Sequence, residues 1–104
     1  MPQPQPSVGR IVHYRLTADD AQDINRKRDD YQATGGSQDR TGYVGHAGNW
    51  VAGGDVFPAI IVRVWDESTV TCNLQVLLDG CDTYWATSRA EGAETGHWSW
   101  PERV

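Results

Sequence analysis

The 104-residue sequence lacks the segments that would take a protein into or across a membrane. No apolar run approaches the roughly 20 residues of a membrane-spanning helix. The first residues, MPQPQP, contain neither the basic nor the apolar part of a signal peptide. We therefore expect a protein without a membrane partner that works in the cytoplasm.

The sequence also lacks the short motifs of common enzymes and metal sites. It contains no G-x-S-x-G, P-loop, H-E-x-x-H or G-x-G-x-x-G pattern. His13, His46 and His97 are far apart in the sequence. Cys72 and Cys81 do not form a CxxC pair, and neither has a nearby histidine at metal-ligand spacing. We expect no catalytic centre, no metal and no cofactor. Cys72 is predicted to be a small buried residue and Cys81 a turn residue, without a disulfide between them.

Positive charge is scarce and unevenly distributed. Residues 1–50 hold six Lys or Arg against six Asp, whereas residues 51–104 hold three Arg against eight Asp or Glu, which gives the net charge of −5. A surface that binds duplex nucleic acid needs clustered cations. The only basic cluster is Arg26-Lys27-Arg28, and acids flank it on both sides. We therefore expect no duplex nucleic acid as a partner.

The residues that are present indicate one small globular domain, with 38% apolar and 22% charged residues. Residues 1–7 are predicted to form an extended Pro/Gln tail and residues 8–104 a single ligand-binding domain. Periodicity predicts strands over 8–16, 57–65, 70–78, 82–89 and 98–100, a helix over 18–32 capped by Thr17, and a long Gly-rich loop over 35–55. This is an α+β fold: a twisted antiparallel sheet of about five strands with one helix after the first strand. An exposed edge strand favours oligomerisation.

Alternation assigns the side chains of the strands to two faces. In the second predicted strand one face carries Ile60, Val62 and Val64, and the other carries Arg63 and Trp65. In the third strand Thr71, Asn73 and Gln75 lie opposite an apolar row: Val70, Cys72, Leu74, Val76 and Leu78. In the fourth strand one side carries Thr83, Trp85, Thr87 and Arg89.

One face of the predicted sheet carries an aromatic ring, amides and a guanidinium, which are groups that can bind a nucleotide. Trp65 would stack on the base, Asn73 and Gln75 would read an edge or a ribose hydroxyl, and Arg63 would hold a phosphate. The alternative is a solvated outer face without a ligand.

The basic cluster of the helix also has two interpretations. Arg26 and Arg28 would form a phosphate clamp, which gains strength where symmetry brings copies together and an anion relieves their repulsion. In the alternative, the cluster is a solvated helix face paired with neighbouring acids, namely Asp23, Asp29 and Asp30.

Six segments together resemble a family of small phage and prophage proteins: INRKR (24–28), GHAGN (45–49), GDVFP (54–58), NLQVLLDG (73–80), DTYWATS (82–88) and WSWPE (98–102). The resemblance covers nearly all of residues 8–104. The chain is similar to the hexameric Thoeris anti-defence sponges, which capture cyclic ADP-ribose isomers without cleaving them. Some of these sponges also hold the cyclic trinucleotides of CBASS immunity in separate pockets.

The resemblance implies a phage counter-defence function in the cytoplasm of an infected bacterium. It places the principal ligand residues at Trp65, Asn73 and Arg89, and a second nucleotide pocket at Arg26 or Arg28 with Thr83. The partner would be a small-molecule nucleotide signal, and the assembly a homohexamer. Two other classes stay open: a protein-binding inhibitor of a host defence complex, of the anti-CRISPR type, and a small virion or assembly protein.

Overall fold

The computed structural model describes residues 5–33, 48–66 and 68–102, with side chains only up to residue 30 in the first range. Its elements are β1 (Ile11–Arg15), α1 (Ala18–Ala33), β2 (Val56–Val64), β3 (Cys72–Leu77), β4 (Thr83–Arg89) and β5 (Trp98–Ser99). The strands form one antiparallel sheet in the order β4-β3-β2-β1-β5. The predicted α+β fold is confirmed, with the helix after the first strand. Of the predicted loop, residues 48–55 are described, and the segment GHAG at 45–48 lies mostly outside the described residues.

The helix begins where the sequence predicts. The Asp20 N–H donates to the Thr17 hydroxyl at 2.9 Å, and the Thr17 N–H donates to the Asp20 carboxylate at 3.0 Å. This reciprocal pair satisfies two donors that the first turn of a helix leaves without partners. Thr17 is thus confirmed as the N-cap.

The core lies between the helix and one face of the sheet. β1 shows the expected alternation, because Val12 and Tyr14 are buried while Ile11 and His13 are exposed. The fully buried side chains include Trp98, Leu74, Val76 and Cys72, and Cys72 has no disulfide to Cys81. Burial raises the pKa of the Cys72 thiol to about 11.

The prediction that Ile60, Val62 and Val64 share one face of β2 is wrong. Ala59 and Ile61 are buried, whereas Ile60 is only half-buried and Val62 is exposed. The register with β3 shifts between Ile61 and Arg63, so the strict alternation on which the prediction rested is interrupted at Val62. Val64 packs against the core, on the other side of this irregularity from Ile60.

The predicted face of β4 is wrong at its end. The register with β3 shifts between Cys72 and Leu74, and Ser88 on β4 adopts a positive φ of 55°. This irregularity turns Arg89 toward the helix, where it contacts Asp20, away from the exposed side of Thr83 and Trp85. Asn73, predicted on a polar face, is buried, and its side-chain oxygen accepts the Ser88 N–H at 2.7 Å.

The helix docks through polar contacts as well as through Ala21 and Ile24. Asn25 donates to the Val51 carbonyl at 2.8 Å and accepts the Val51 N–H at 3.2 Å. Asp20 and Arg28 are buried too, and each is hydrogen-bonded to a residue outside the helix, Asp20 to Tyr14 and Arg28 to Asp82. No helix in the described ranges is long and apolar enough to cross a membrane.

Candidate functional site

The five strands contain no Asp or Glu, although the whole chain has 14 acidic residues. The strands do contain three arginines and a histidine: Arg15, Arg63, Arg89 and His13. The acids of the described residues lie on the helix and in the connections. An anion that binds to this sheet would therefore contact no carboxylate from a strand, although the protein as a whole is acidic.

Two of the predicted ligand residues form a stacked pair at the end of β2. The Arg63 guanidinium carbon lies 4.6 Å from the centre of the Trp65 ring, which is the geometry of a cation–π contact. Both side chains are exposed, Trp65 to 48%. The pair therefore presents an aromatic plane and a cationic fork to solvent at the same place.

Asn73 is brought next to this pair, because it is the β3 partner of Arg63 in the sheet register. Asn73 is 7% exposed, and its side-chain oxygen accepts the Ser88 N–H. Gln75 lies two residues along β3, between Ile60 of β2 and Trp85 of β4. The structure thus groups Arg63, Trp65 and Asn73 and places Gln75 further along the same sheet.

Arg89 does not join that group. Its guanidinium donates to the Asp20 carboxylate at 3.1 Å and lies 5.6 Å from the centre of the Tyr14 ring. It lines a cleft of about 410 Å³ between α1 and β4, together with Arg26, Tyr84 and three carboxylates, those of Asp19, Asp20 and Asp23. The resemblance placed Arg89 and Arg26 in different pockets, and the structure brings them into one cleft.

Asp20 is the centre of a network that the sequence does not reveal. Its carboxylate accepts hydrogen bonds from the Tyr14 hydroxyl at 2.5 Å, the Tyr84 hydroxyl at 2.9 Å and Arg89. Burial would raise the pKa of Asp20, but these donors, the Thr17 N–H and the charge of Arg89 lower it below its usual 3.8. Burial and the bond to Asp20 raise the pKa of Tyr84 to about 12. Asp20 is therefore a buried, ionised and fully hydrogen-bonded carboxylate.

The residues predicted for a second pocket are only partly brought together, because Arg28 bonds to Asp82, the residue before Thr83, whereas Arg26 is paired on its own helix. Arg26 is exposed and pairs with Asp23 at 2.6 Å, as the solvated-face interpretation expects. Thr83 is exposed at the start of β4. Arg28 is buried, and two of its nitrogens donate to the Asp82 carboxylate at 2.9 and 2.8 Å. Arg28 thus points to the β3–β4 hairpin and away from the solvent-exposed acids of its own helix.

Arg28 also fixes the chain that leads into β2. It donates to the Asn49 carbonyl, and the Asn49 N–H donates to the Asp79 carbonyl at 2.9 Å. Gly48 approaches so closely that an added Cβ would lie 2.6 Å from an Arg28 nitrogen and 2.9 Å from the Asp79 carbonyl oxygen. A side chain at position 48 would therefore displace Arg28.

A cleft of about 760 Å³ lies on the opposite edge of the sheet, between β1, β5 and the turn before β5. It is lined by Arg15, Trp100 and two histidines that are far apart in the sequence, His13 and His97. The Nδ1 of His97 donates to the Ala90 carbonyl at 3.1 Å. Within the described residues no group of His, Cys, Asp or Glu is arranged to hold a metal.

Comparison of the chain with family models, with curated proteins and with solved structures gives no match.

The lowered pKa values of Asp20 and Asp82 predict that the protein loses stability in acid. The hydrogen bond from Arg28 lowers the pKa of Asp82. Despite its burial, Asp20 also has a lowered pKa, because of its hydrogen-bond donors and the charge of Arg89. Both carboxyls take up protons near pH 3.8 when unfolded and at lower pH when folded. Their stabilising contribution is therefore complete well above 3.8 and is lost as the pH falls through the folded values.

We expect the urea midpoint to fall between about pH 6 and about pH 3. Asp82→Asn should flatten this fall, whereas Asp29→Asn, at an exposed site of α1, should leave it unchanged. A wild-type midpoint that is constant over this range would contradict the prediction.

Proposed function

We propose that the protein captures a cyclic nucleotide immune signal, a cyclic ADP-ribose isomer, and holds it without cleaving it. The protein would act in the cytoplasm of an infected bacterium as a phage counter-defence sponge, as a homo-oligomer, with cyclic trinucleotides as further ligands. The observation that carries the proposal is the Arg63–Trp65 pair beside Asn73 on a sheet without strand carboxylates. The resemblance of six segments to the sponge family is its second support.

The chemistry of this group matches the parts of such a ligand. The indole of Trp65 offers a face for adenine, and the fork of Arg63 offers two parallel donors to a phosphate. The amide nitrogen of Asn73 is a donor for a ribose oxygen or a base nitrogen. No step of this binding requires a nucleophile or a general base, which agrees with storage of the signal intact.

Capture of a signal by a sponge depends on abundance and affinity. Nanomolar binding corresponds to about −12 kcal/mol and keeps the unbound signal below a micromolar activation threshold. A second copy that covers the exposed Trp65 would exclude water and strengthen the contacts of Arg63 with a phosphate. This is how the proposed oligomer would contribute to affinity.

The function is tested with lysate from cells whose TIR signalling is active. The purified protein is incubated with the lysate and removed by filtration, and the retained material is heated. We expect the signalling activity to disappear from the filtrate and to return, chemically intact by mass spectrometry, after heating. Activity that stays in the filtrate would rule out capture of this signal, and a cleaved product would rule out a sponge.

The site is tested with Trp65→Ala, because loss of one stacked base costs about 1–3 kcal/mol, roughly a ten- to hundredfold loss of affinity. Trp50→Ala is the matched control, since Trp50 is exposed to 75% and lies outside the predicted site. Titration calorimetry with cyclic ADP-ribose measures both. Unchanged affinity in Trp65→Ala would refute the site. Asn73→Ala and Arg89→Ala are less suitable, because Ser88 and Asp20 would lose their partners.

A further inference from the structure

The face of the sheet opposite the helix, which we call the outer face, exposes a tryptophan on β4 and another directly after β2. Trp85 is 60% exposed and Trp65 is 48% exposed. Both point away from the core, because their neighbours Ala86 and Val64 pack into it. Two large exposed rings on one face make this surface a candidate interaction site.

The sheet register gives the arrangement of the two rings. Trp85 pairs with Gln75 of β3, whereas Arg63, two residues before Trp65, pairs with Asn73. The two tryptophans are thus two strands apart across the sheet and about four residues apart along it, which separates their backbones by about 17 Å. Gln75 and Arg63 lie along the diagonal between them. One nucleobase cannot contact both rings, but two bases of the same chain can.

The charge of this part of the outer face favours an anionic partner. Within the described ranges Arg63 forms no ion pair, and its guanidinium stacks on the Trp65 ring. The neighbouring acid Asp66 is held in its own turn, where it accepts the N–H and the hydroxyl of Ser68 at 2.8 and 2.6 Å. β2, β3 and β4 contain no Asp or Glu. A phosphate beside Arg63 therefore meets a cation that no described carboxylate neutralises.

The other end of the outer face does not share this property. Arg15 and His13 of β1 line a cleft that also contains Glu91 and Glu102. An anion in that cleft would meet carboxylates as well as cations. The candidate site is therefore restricted to β2, β3 and β4.

We propose that the outer face over β2, β3 and β4 binds a short single strand of nucleic acid. Trp65 and Trp85 each stack on a base, and Arg63 contacts a phosphate between them. Exposed aromatic rings on an antiparallel sheet suit single strands, because every base has a stacking face. A duplex hides these faces and needs clustered cations, which this face lacks. The inference goes beyond the proposed function, because cyclic ADP-ribose has one base and occupies only one ring.

The site is tested by fluorescence anisotropy with a labelled single-stranded oligothymidylate of about eight nucleotides. We expect a Kd on the order of 10–100 µM for the wild type at low salt, and no binding at all would overturn the inference. Trp65→Ala and Trp85→Ala should each weaken binding about tenfold, and the double variant about a hundredfold. Trp50→Ala is the matched control, since Trp50 is exposed but lies outside the strands. Equal affinities of Trp85→Ala and Trp50→Ala would also overturn it.

A second pair of variants separates stacking from simple apolar contact at position 85. Trp85→Phe keeps an aromatic face and should bind within about threefold of the wild type. Trp85→Leu keeps an apolar side chain without that face and should bind about tenfold more weakly. Because the position is exposed, circular dichroism should show both variants folded. Equal affinities of the two variants would contradict stacking.

The salt dependence tests the contact of Arg63 with a phosphate. One phosphate contact on a single strand gives a slope of about −0.7 in a plot of log K against log salt concentration. Arg63→Met should bring this slope close to zero. A slope of about −3 or steeper would show that several cations outside the site bind the strand, and it would overturn the assignment.

The inference and the proposed function fail separately. Trp85→Ala should bind cyclic ADP-ribose as the wild type does, because that ligand needs only Trp65. A wild-type protein that binds the oligothymidylate but no cyclic ADP-ribose would refute the proposed function and keep the inference. A dimer in analytical ultracentrifugation that Trp85→Ala dissociates, without oligothymidylate binding, would show that a second copy covers the outer face and would overturn the inference.

Discussion

Replacing Trp98 by Ala is expected to lower the free energy of unfolding by about 3–5 kcal/mol, as for other fully buried large aromatics. Trp98 is 0% exposed and is the largest of the fully buried side chains. Its indole nitrogen donates to the carbonyls of Val70 at 3.0 Å and Arg89 at 3.1 Å, which lie before β3 and at the end of β4. Its ring meets Trp100 edge-on, with 5.4 Å between ring centres. The variant therefore loses packing and leaves two carbonyls without a donor.

Urea unfolding followed by circular dichroism measures the effect of Trp98→Ala. In a domain this small such a loss is a large fraction of the total stability, so we expect much of the variant to be unfolded at 37 °C. Trp50→Ala is the control and should change the free energy of unfolding by less than about 0.5 kcal/mol. A loss below about 1 kcal/mol in Trp98→Ala would show that β5 is not part of the core.

Arg28→Met is expected to cost about 3 kcal/mol, because breaking a buried ion pair leaves its partner without compensation. The side chain of Arg28 is 7% exposed and that of Asp82 is 35% exposed, so solvent relieves part of the loss. The hydrogen bond to Asp82 raises the pKa of Arg28, which is therefore charged in the folded protein. Methionine keeps an unbranched apolar stem but has no guanidinium, so the effect reports mainly the lost donors.

Arg26→Met provides a matched control two residues earlier on the helix. The Arg26 ion pair with Asp23 is exposed, and such pairs contribute at most about 1 kcal/mol. The same urea experiment compares the two variants. Equal effects would show that the buried pair between Arg28 and Asp82 does not hold the helix to the β3–β4 hairpin.

The sequence predicts the elements of this fold because their local signals agree. The Thr17 cap and the acids of the first turn mark the start of the helix, and the strict alternation of β1 marks its buried side. Short connections make β2, β3 and β4 antiparallel neighbours, whereas no local signal predicts that β1 pairs with both β2 and β5. These signals act within a few residues and need no knowledge of the rest of the chain.

The predicted strand faces become wrong at the positions where a strand contains one extra residue. The irregularities at Val62 and at Ser88 each reverse the alternation, and neither residue type is specific for such a position. For this reason Arg89 is predicted beside Trp85 but faces the helix. The group of Arg63, Trp65 and Asn73 is predictable because Arg63 and Asn73 pair directly across β2 and β3, and Trp65 follows Arg63 by two residues.

The Asp20 network is beyond sequence reasoning for a different reason. Its members are Tyr14, Asp20, Tyr84 and Arg89. Asp20 and Arg89 alone are 69 residues apart, and each member has an ordinary local role. A tyrosine on a strand and an acid in the first turn of a helix are both common. Only the tertiary structure brings them together.

The polar docking of α1 has a consequence for how the helix leaves the sheet. An apolar stripe tolerates a small rotation or slide, whereas the contacts of Asp20, Asn25 and Arg28 with three separate parts of the chain do not. A rotation by one residue, about 100°, would break all three at once. Release of the helix should therefore be all-or-none. It would also expose the apolar core that lies between the helix and the sheet, and so it would add to the heat capacity of unfolding.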